Sequence, residues 1–513
     1  MKKSLFLLAL LFILASCSLP QPPGAAAPTS QPTTTPEGPA PTLFASPSPT
    51  SPPILTPTPE PTPQPAEQAS HPSYNLEAVF DYYAHTLAVT ETVTYTNTSS
   101  EPIPSLVLFV EPNRYAGGFT LRSLALSDAQ PIEDYTLSGN RLEIPLSLPL
   151  MPGQGMALTL GFDLFLPAIP DPSDATRPMP YGHTDRQTNL VDWYAFFPPY
   201  IPGQGWLWRQ PGYFGEHQVY EAASYQVTIT LDLAVPDLVL AASAPAAQDG
   251  KTYRYEMPLA RNFVFSASQQ YLVLSQQVGE VTVYSYHFPY NITAGQAALW
   301  HTAQALELYT RLYGPYPYST LTVVEADFLD GMEYSGLYFL SRGFYDLYDN
   351  TPFGYLTIIA AHETAHQWWY GMVGNDQANE PWLDESLCTF SERVFYENVY
   401  PDLEFGAQPV VDWWHYFRID YYEPVGLIDG SIYDYNGFLP YRNAVYLRGA
   451  DFLQALRQQV GDEAFFACSV EETMMCLKPW LPHVRVISPP EVAEQVLGDF
   501  RTWVAWQGET WNY

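Results

Sequence analysis

Cysteine is scarce in this 513-residue sequence, which contains four: Cys17, Cys388, Cys468 and Cys476. So few cysteines exclude a fold held together by a disulfide framework, and their spacing fits no zinc ribbon. On a continuous helix Cys468 and Cys476 would lie about 12 Å apart, which is too far for a disulfide bond. We interpret Cys388 as a small buried hydrophobic residue rather than a metal ligand.

Positive charge is also scarce, because 21 Lys and Arg residues stand against 54 Asp and Glu residues and give a net charge of -33. Lysine occurs only at positions 2, 3, 251 and 478. Such a chain would repel the phosphate backbone, so nucleic acid is excluded as a partner. The acidic surface keeps the protein soluble or attracts cationic peptides and free amines, and composition leaves both open.

Long hydrophobic runs are absent as well, and the apolar run Leu5 to Leu14 is too short to span a bilayer comfortably. Because it follows two lysines, residues 1–17 are predicted to be a secretory signal. The run ends in Leu14-Ala15-Ser16-Cys17, which resembles the lipobox of bacterial lipoproteins. That resemblance implies lipidation of Cys17 and a protein anchored to a membrane of the bacterial cell envelope, facing outside the cytoplasm. Ordinary signal cleavage beside a chance cysteine is the alternative.

Residues 18–72 contain 18 prolines among Ser, Thr, Gln and Ala residues. No hydrophobic core can form from this composition, and proline favours extended polyproline geometry. The segment is predicted to be a disordered, semi-rigid spacer of up to roughly 160 Å, at ~3.1 Å per residue. Its role would be to hold the rest of the protein away from the membrane.

Residues 73–288 have the period of two that is typical of strands, as in the threonine-rich segment from Thr86 to Asn97. Further strands are predicted at 106–110, 156–162, 225–233, 263–268 and 281–287. Together they indicate an antiparallel, β-sandwich-like domain. The aromatic segment from Trp193 to Phe214 is interpreted as a loop packed on the sheet, with a substrate-contacting loop as the alternative.

After residue 288 the period becomes helical, so residues 289–513 are predicted to form a mainly helical domain. Thr293 is predicted to cap a first helix, which Gly314 ends. The buried face of that helix is predicted to carry Leu299, Ala303, Leu306 and Tyr313. A strand is expected from Leu321 to Ala326 and a turn or edge segment from Gly331 to Gly336. The segment 468–490 lacks a clean helical period.

The most informative stretch is His362-Glu363-Thr364-Ala365-His366, followed after 18 intervening residues by Glu385. Two histidines four residues apart lie one helical turn above each other, so both imidazoles can reach one metal ion. Glu385 would complete three protein ligands and leave a fourth position for water, as in catalytic zinc sites. Glu363 lies where it can take a proton from that water. The buried helix leading into this charged stretch also favours a metal site.

Three motifs extend this interpretation to a family. HETAHQWWYGMVG followed by PWLDES resembles the zinc signature of the gluzincin aminopeptidases, the family of aminopeptidase N and leukotriene hydrolase. Gly331-Met332-Glu333 is similar to the family's GxMEN motif, and Tyr446-Leu447-Arg448-Gly449-Ala450 is similar to its YxKGA motif. The resemblance covers roughly residues 73–513 and implies a multidomain α+β protein, with a thermolysin-like catalytic domain after the β domain.

The resemblance implies a role for each matching residue. His362, His366 and Glu385 would bind one Zn²⁺ per chain, with Glu363 as general base and Tyr446 as the hydroxyl that stabilises the oxyanion. Glu333, with Gly331 and Met332, would bind the amino terminus of a peptide substrate. Glu392 lies seven residues after Glu385. It either orients a zinc ligand or is a plain solvated carboxylate, and the sequence leaves both open.

Three residues depart from the family motifs: Tyr334 stands in place of Asn, Ser386 in place of Gly and Arg448 in place of Lys. The first bears on amine recognition and first-residue specificity, and the other two on packing or a supporting contact. The sequence predicts a membrane-tethered zinc metallopeptidase that removes amino-terminal residues from peptides. The alternatives are an endopeptidase or non-peptide hydrolase with the same site, or a catalytically silent peptide-binding protein. The oligomeric state is not predicted.

Overall fold

The computed structural model describes residues 71–126, 130–171, 178–467 and 485–486. Strands dominate this part of the chain up to residue 287, and helices dominate after it. The predicted order, a β region followed by a mainly helical region, is therefore confirmed. Cys17, the predicted signal and most of the predicted spacer lie outside the described residues. So does the segment 468–490, apart from the short strand Arg485–Val486, which pairs with Val373–Gly374.

The central strand of the main sheet is Ser73–Asp81, which pairs with Thr86–Thr96 on one side and with Ala223–Leu231 on the other. From edge to edge the seven strands are Ala247–Asp249, Thr252–Ala260, Ala223–Leu231, Ser73–Asp81, Thr86–Thr96, Gly155–Phe165 and Phe119–Leu126. The prediction of a wholly antiparallel domain is wrong, because Ser73–Asp81 and Ala223–Leu231 run parallel. No hairpin joins these two strands, so nothing local forces them to be antiparallel.

The strand Thr86–Thr96 alternates as predicted, with Leu87, Val89, Val93 and Tyr95 buried. Glu91 lies on the same inward face and is fully buried. Its Oε2 accepts a hydrogen bond of 3.0 Å from the backbone N–H of Ala195. Burial raises the pKa of Glu91 to about 8, because the charged form loses its hydration there.

Smaller sheets complete the β region. One contains Ile103–Phe109, Arg141–Leu150 and Thr136–Ser138; another contains Val239–Ala242, Phe265–Ser268, Thr188–Leu190 and Gly182–His183; a ribbon joins Tyr200–Ile201 to Gly205–Trp206. The first part of the aromatic segment is a buried loop, as predicted. Phe196 stacks on Phe109 at 5.1 Å between ring centroids, and Trp193 donates a hydrogen bond to the carbonyl of Phe263.

A five-stranded sheet spans the predicted domain boundary at residue 288. Its strands, in order, are Leu272–Val278, Val281–His287, Thr320–Ala326, Leu337–Ser341 and Gly331–Tyr334. Val281–His287 pairs in parallel with Thr320–Ala326, and the helix Ile292–Tyr313 forms the crossover between them. The boundary predicted between residues 288 and 289 therefore divides one sheet, and strand pairing moves it to about residue 271. Of these five strands, the sequence predicted Val281–His287 and Thr320–Ala326 together with an edge segment at 331–336, but periodicity does not show which sheet a strand joins.

The helical region contains the helices Ile292–Tyr313, Arg342–Asp346, Tyr355–Ala365, Trp382–Val399, Val410–Arg418, Phe438–Arg442, Gly449–Val460 and Asp462–Ala467, with a π-helical turn at Asn443–Arg448. The first helix buries the predicted face and ends at Gly314, whose φ of 112° suits glycine. Its N-cap is Asn291 rather than the predicted Thr293. Within the described residues, no helix combines the length and apolar character needed to cross a membrane.

Candidate active site

The helix Tyr355–Ala365 carries the first histidine of the predicted zinc site, and His366 caps its C-terminal end. Every residue from Leu356 to Ala365 is buried, so the charged residues lie at the end of an apolar helix, as predicted. The rings of His362 and His366 are 4.8 Å apart between centroids. One helical turn therefore places the two imidazoles together.

Glu385 lies in the first turn of the helix Trp382–Val399 and brings a carboxylate to the two histidines. Its Oε2 is 3.1 Å from His362 Nε2 and 3.6 Å from His366 Nε2. One donor atom from each of the three residues lies within 4.8 Å of the others. Two imidazole nitrogens and a carboxylate oxygen are a donor set that suits zinc. The residues present therefore fit the metal that the sequence predicted.

Glu392 orients His362. Its Oε1 is 2.9 Å from His362 Nδ1, and its carboxylate also accepts two hydrogen bonds from Arg418 and one from Trp414. Burial alone would raise the pKa of Glu392, but Arg418 and His362 outweigh burial and lower it. Of the two alternatives left by the sequence, the solvated carboxylate is excluded. A carboxylate on Nδ1 fixes the imidazole with Nε2 free to bind a metal.

Asp384 forms an ion pair with His366, whose Nδ1 also donates a hydrogen bond of 3.1 Å to the carbonyl of Trp369, and no sequence motif predicts this pairing. Its Oδ1 is 2.6 Å from His366 Nδ1, and its Oδ2 accepts a hydrogen bond of 2.6 Å from Gln377 Nε2. The same amide nitrogen of Gln377 lies 3.5 Å from Glu333 Oε1. The available signal was an acidic residue directly before Glu385, but helix geometry does not say which of two adjacent carboxylates faces the metal.

Glu363 is buried beside the histidines, and among the described residues its Oε2 has no hydrogen-bond partner. Burial raises the pKa of Glu363 well above its ordinary value, and the two histidines oppose that shift. A Cβ atom at position 331 would collide with Glu363 Oε1, so Gly331 leaves room for this carboxylate. Because Glu363 Oε2 is buried next to the metal donors and forms no hydrogen bond there, it is available to accept a proton from a metal-bound water.

The strand Gly331–Tyr334 forms the edge of the five-stranded sheet and positions Glu333. Burial, together with Asp384 and Glu385 and opposed by His366, raises the pKa of Glu333 to about 7. Met332, the residue before Glu333, lines the cleft between the β region and the helical region.

Glu216, from the β region, lines the same cleft, and the sequence does not predict it as a site residue. It lines one cavity with Glu333, and its pKa is raised well above its ordinary value by burial and by Glu333, Glu385 and Asp384. No local motif marks it, because its neighbours in the site come from a distant part of the chain.

Tyr446 lies on the π-helical turn Asn443–Arg448, a deviation from α-helical geometry that is often found at functional sites. Its hydroxyl donates a hydrogen bond of 2.5 Å to Glu385 Oε1. Its ring is parallel to that of His362, with 6.0 Å between centroids. The structure therefore brings Tyr446 to the predicted metal ligands.

The three departures from the family motifs have different surroundings. Ser386 donates a hydrogen bond of 2.6 Å to the carbonyl of Val445 and fits because Gly449 has no side chain at that point. Arg448 donates to the carbonyl of Gly426 on the surface. Tyr334 is buried against Phe339 and lines the cleft. Only Tyr334 adjoins the place where a substrate would lie.

A cavity of about 150 Å³ adjoins Glu333 and lies between the edge strand and the β region. The convergent metal donors, the buried base and this cleft define a zinc-dependent hydrolase site. This is the class of protein that the fold and the site support.

Comparisons with known proteins agree with this class. Residues 297–471 match the family model described as the Peptidase family M1 domain. The fold is similar to an M1 zinc metallopeptidase from Deinococcus radiodurans, with 19% identity and a TM-score of 0.53 over 85% of this chain and 94% of that chain. A mutant of the M1 zinc metallopeptidase from Deinococcus radiodurans, bound to a Tyr-Ser-Ala substrate, gives 18% identity and a TM-score of 0.54 over 86% and 96%.

A two-domain M1 zinc metallopeptidase mutant bound to L-arginine is also similar, with 18% identity and a TM-score of 0.53 over 85% of this chain and 94% of that chain. These structures support the overall fold, and the family match supports the chemistry. The match over residues 297–471 and the zinc donor set support the gluzincin aminopeptidase resemblance, and the protein is a zinc metallopeptidase.

Proposed function

We propose that this protein is a zinc-dependent aminopeptidase that removes residues from the amino terminus of peptides. The observation that carries the proposal is a pair of carboxylates, the buried Glu333 and the half-buried Glu216, which line one cavity beside the zinc donors. Two carboxylates that share a cavity without a cation of their own repel each other at a cost in free energy. A protonated amino terminus is the cation that would relieve this cost and fix the substrate at its first residue.

His362, His366 and Glu385 would hold the zinc ion. When bound, zinc lowers the pKa of a ligand water to about 7 and polarises the scissile carbonyl. Glu363 takes a proton from the attacking water and delivers it to the leaving amine, a task that suits its orphaned Oε2. The hydroxyl of Tyr446 faces the oxyanion of the substrate. Glu392 and Asp384 orient the two histidines.

The register of cleavage follows from the amine site. An amino terminus held by Glu333 and Glu216 places the first peptide bond at the zinc donors, so hydrolysis removes one residue. Related structures support this direction, since they were solved with a Tyr-Ser-Ala substrate and with single amino acids. An endopeptidase would have no use for the two carboxylates, and a silent binding protein would have no use for Glu363.

We also propose that the helical part is a thermolysin-like domain and that the β region is a sandwich-like domain.

The test compares amino-acid amides that carry a free amine with the same amides after N-acetylation, in the zinc-loaded enzyme and after treatment with a chelator. We expect acetylation, or Glu333→Ala, to lower kcat/KM by at least roughly tenfold, because the buried charge pair is lost. The exposed Glu256→Ala serves as the control for Glu333→Ala. Equal hydrolysis of free and acetylated substrates, or internal cleavage, would identify an endopeptidase.

We further propose that Cys17 is lipidated and anchors the enzyme to a membrane of the bacterial cell envelope, outside the cytoplasm. The support is the lipobox-like ending of the apolar run and the proline-rich segment after it, which would hold the enzyme away from the membrane. Mass spectrometry of the mature protein should find acyl chains on Cys17 and none in Cys17→Ser. An unmodified mature protein would refute the anchor and leave the peptidase proposal intact.

A further inference from the structure

The cavity beside Glu333 extends away from the zinc donors and has aromatic walls. Its apolar lining includes Tyr115, Tyr181, Tyr220, Tyr334, Tyr370 and Met332. If the proposed function is right, a peptide amine on Glu333 directs the first side chain into this cavity, so the inference below rests on that function. The lining therefore decides which first residue the enzyme accepts.

Besides Glu333 and Glu216, two carboxylates line the cavity, and one of them already has a cationic partner, Arg114. Glu111 is 3.0 Å from His217 Nε2 and 3.0 Å from Arg114 Nη1. It also accepts a hydrogen bond from Asn140. The charge of Glu111 is therefore neutralised by Arg114 within the protein.

Asp192 is the other carboxylate, and its hydrogen-bond partners are neutral, while Arg114, which is paired with Glu111, acts on it from a distance. Its Oδ1 accepts a hydrogen bond of 2.7 Å from the hydroxyl of Tyr220, and its Oδ2 lies 3.5 Å from Gln218 Nε2. Within residues 71–126, 130–171 and 178–467, no Lys, Arg or His side chain forms an ion pair with it. Only 7% of Asp192 is exposed. A buried carboxylate on a cavity wall without a cation is costly unless a ligand supplies one.

Asp192 has a φ of 47°, in the left-handed region that aspartate tolerates better than most non-glycine residues. The next residue, Trp193, is fully buried and hydrogen-bonded to Phe263, so the surrounding structure fixes the position of Asp192.

Glu333 and Asp192 act on the same two phenols. Burial raises the pKa of Tyr334 and of Tyr370 well above the ordinary value, and both carboxylates contribute to each shift. Tyr334 and Tyr370 line the same cavity as both acids, and the ring of Tyr370 lies 5.9 Å from that of Tyr220, which donates a hydrogen bond to Asp192. The tyrosines therefore connect the wall that carries Glu333 with the wall that carries Asp192.

We propose that Asp192 selects substrates whose first residue is lysine or arginine. The aliphatic stem of such a side chain packs between the tyrosines and Met332, and its cation pairs with the carboxylate at the far wall. An apolar first residue would exclude water from Asp192 without supplying a cation and would lose affinity for that reason. The departure Tyr334 then has a role, because it builds the wall along which the stem lies.

The test compares amides of lysine and norleucine, since norleucine has the same four-carbon stem without the charge. We expect kcat/KM for lysine to exceed that for norleucine by at least about tenfold in the wild type, and Asp192→Asn to lower this ratio by about tenfold. Asparagine keeps the acceptor for Tyr220 and tolerates a positive φ. The control is Asp237→Asn, at an exposed aspartate whose φ is 55°, and it should keep the wild-type ratio.

A binding measurement covers the case in which Asp192→Asn fails to fold. Calorimetry with zinc-loaded Glu363→Gln should find free L-lysine binding at least about tenfold more tightly than L-norleucine. Equal turnover and equal binding of the two would overturn the selectivity proposal alone. Preference for a tyrosine amide, lost in Asp192→Asn, would also overturn it, because Asp192 would then serve as a neutral acceptor for a phenol. No turnover of any free-amine amide would instead refute the proposed function.

Discussion

Glu363→Gln is expected to lower kcat/KM by about 10²–10⁴-fold, the range for removal of a general acid–base group, while zinc stays bound. Glutamine has the shape of glutamate, and the three donors His362, His366 and Glu385 remain together. It cannot take a proton from water at neutral pH, so turnover falls without loss of the metal. Metal analysis and kcat/KM on a free-amine amide are measured on the same preparation.

The matched variants for this prediction are His362→Ala, His366→Ala and Glu385→Ala, each of which removes one donor. We expect these to lose both zinc and activity, because the ligands must be deprotonated and jointly placed. Excess zinc should not rescue Glu363→Gln. An active, zinc-free preparation of the wild type would contradict the metal site, and an active Glu363→Gln would contradict the assignment of the base.

Local geometry determines only part of the site that the sequence predicts. His362 and His366 meet because four residues make about one helical turn. Glu385 and Glu333 are predicted because they match motifs of a known family. The spacing of those motifs reflects a tertiary arrangement that helix geometry alone does not give. The alternation of Thr86–Thr96 likewise predicted a strand and its inward face, although it did not identify Glu91 as a buried acid.

The rest of the site depends on contacts between distant parts of the chain. Asp384 meets His366 only because two helices pack with one relative rotation, and a different rotation would expose it. Glu216 and Asp192 come from loops of the β region, whose positions depend on the packing of both regions. The parallel pairing of Ser73–Asp81 has the same origin, because its partner Ala223–Leu231 follows a long excursion of the chain. Periodicity contains no information about such partners.

Tyr446→Phe is expected to lower kcat/KM by about 10²–10³-fold, the range for loss of one oxyanion donor. In the structure the hydroxyl donates to Glu385 Oε1, and the ring lies parallel to His362, so the phenol is already held beside the metal donors. A substrate oxyanion formed there would offer the hydroxyl a second, charged acceptor. The hydrogen bond to it strengthens in the transition state and therefore appears in kcat.

The hydroxyl of Tyr446 could instead serve only to orient the zinc ligand Glu385. A measurement of zinc affinity distinguishes this role from stabilisation of the oxyanion. Bracing alone predicts weaker zinc binding and full recovery of activity when zinc is added. The oxyanion role predicts that the loss of kcat persists at saturating zinc. Tyr441→Phe is the control, because Tyr441 packs edge-on against Tyr446 at 5.7 Å between ring centroids and is fully buried. It should change kcat/KM by less than about threefold, since packing is kept and only a neighbouring hydroxyl is removed. If zinc restores Tyr446→Phe to the activity of Tyr441→Phe, the hydroxyl supports the ligand Glu385 and another group must stabilise the oxyanion.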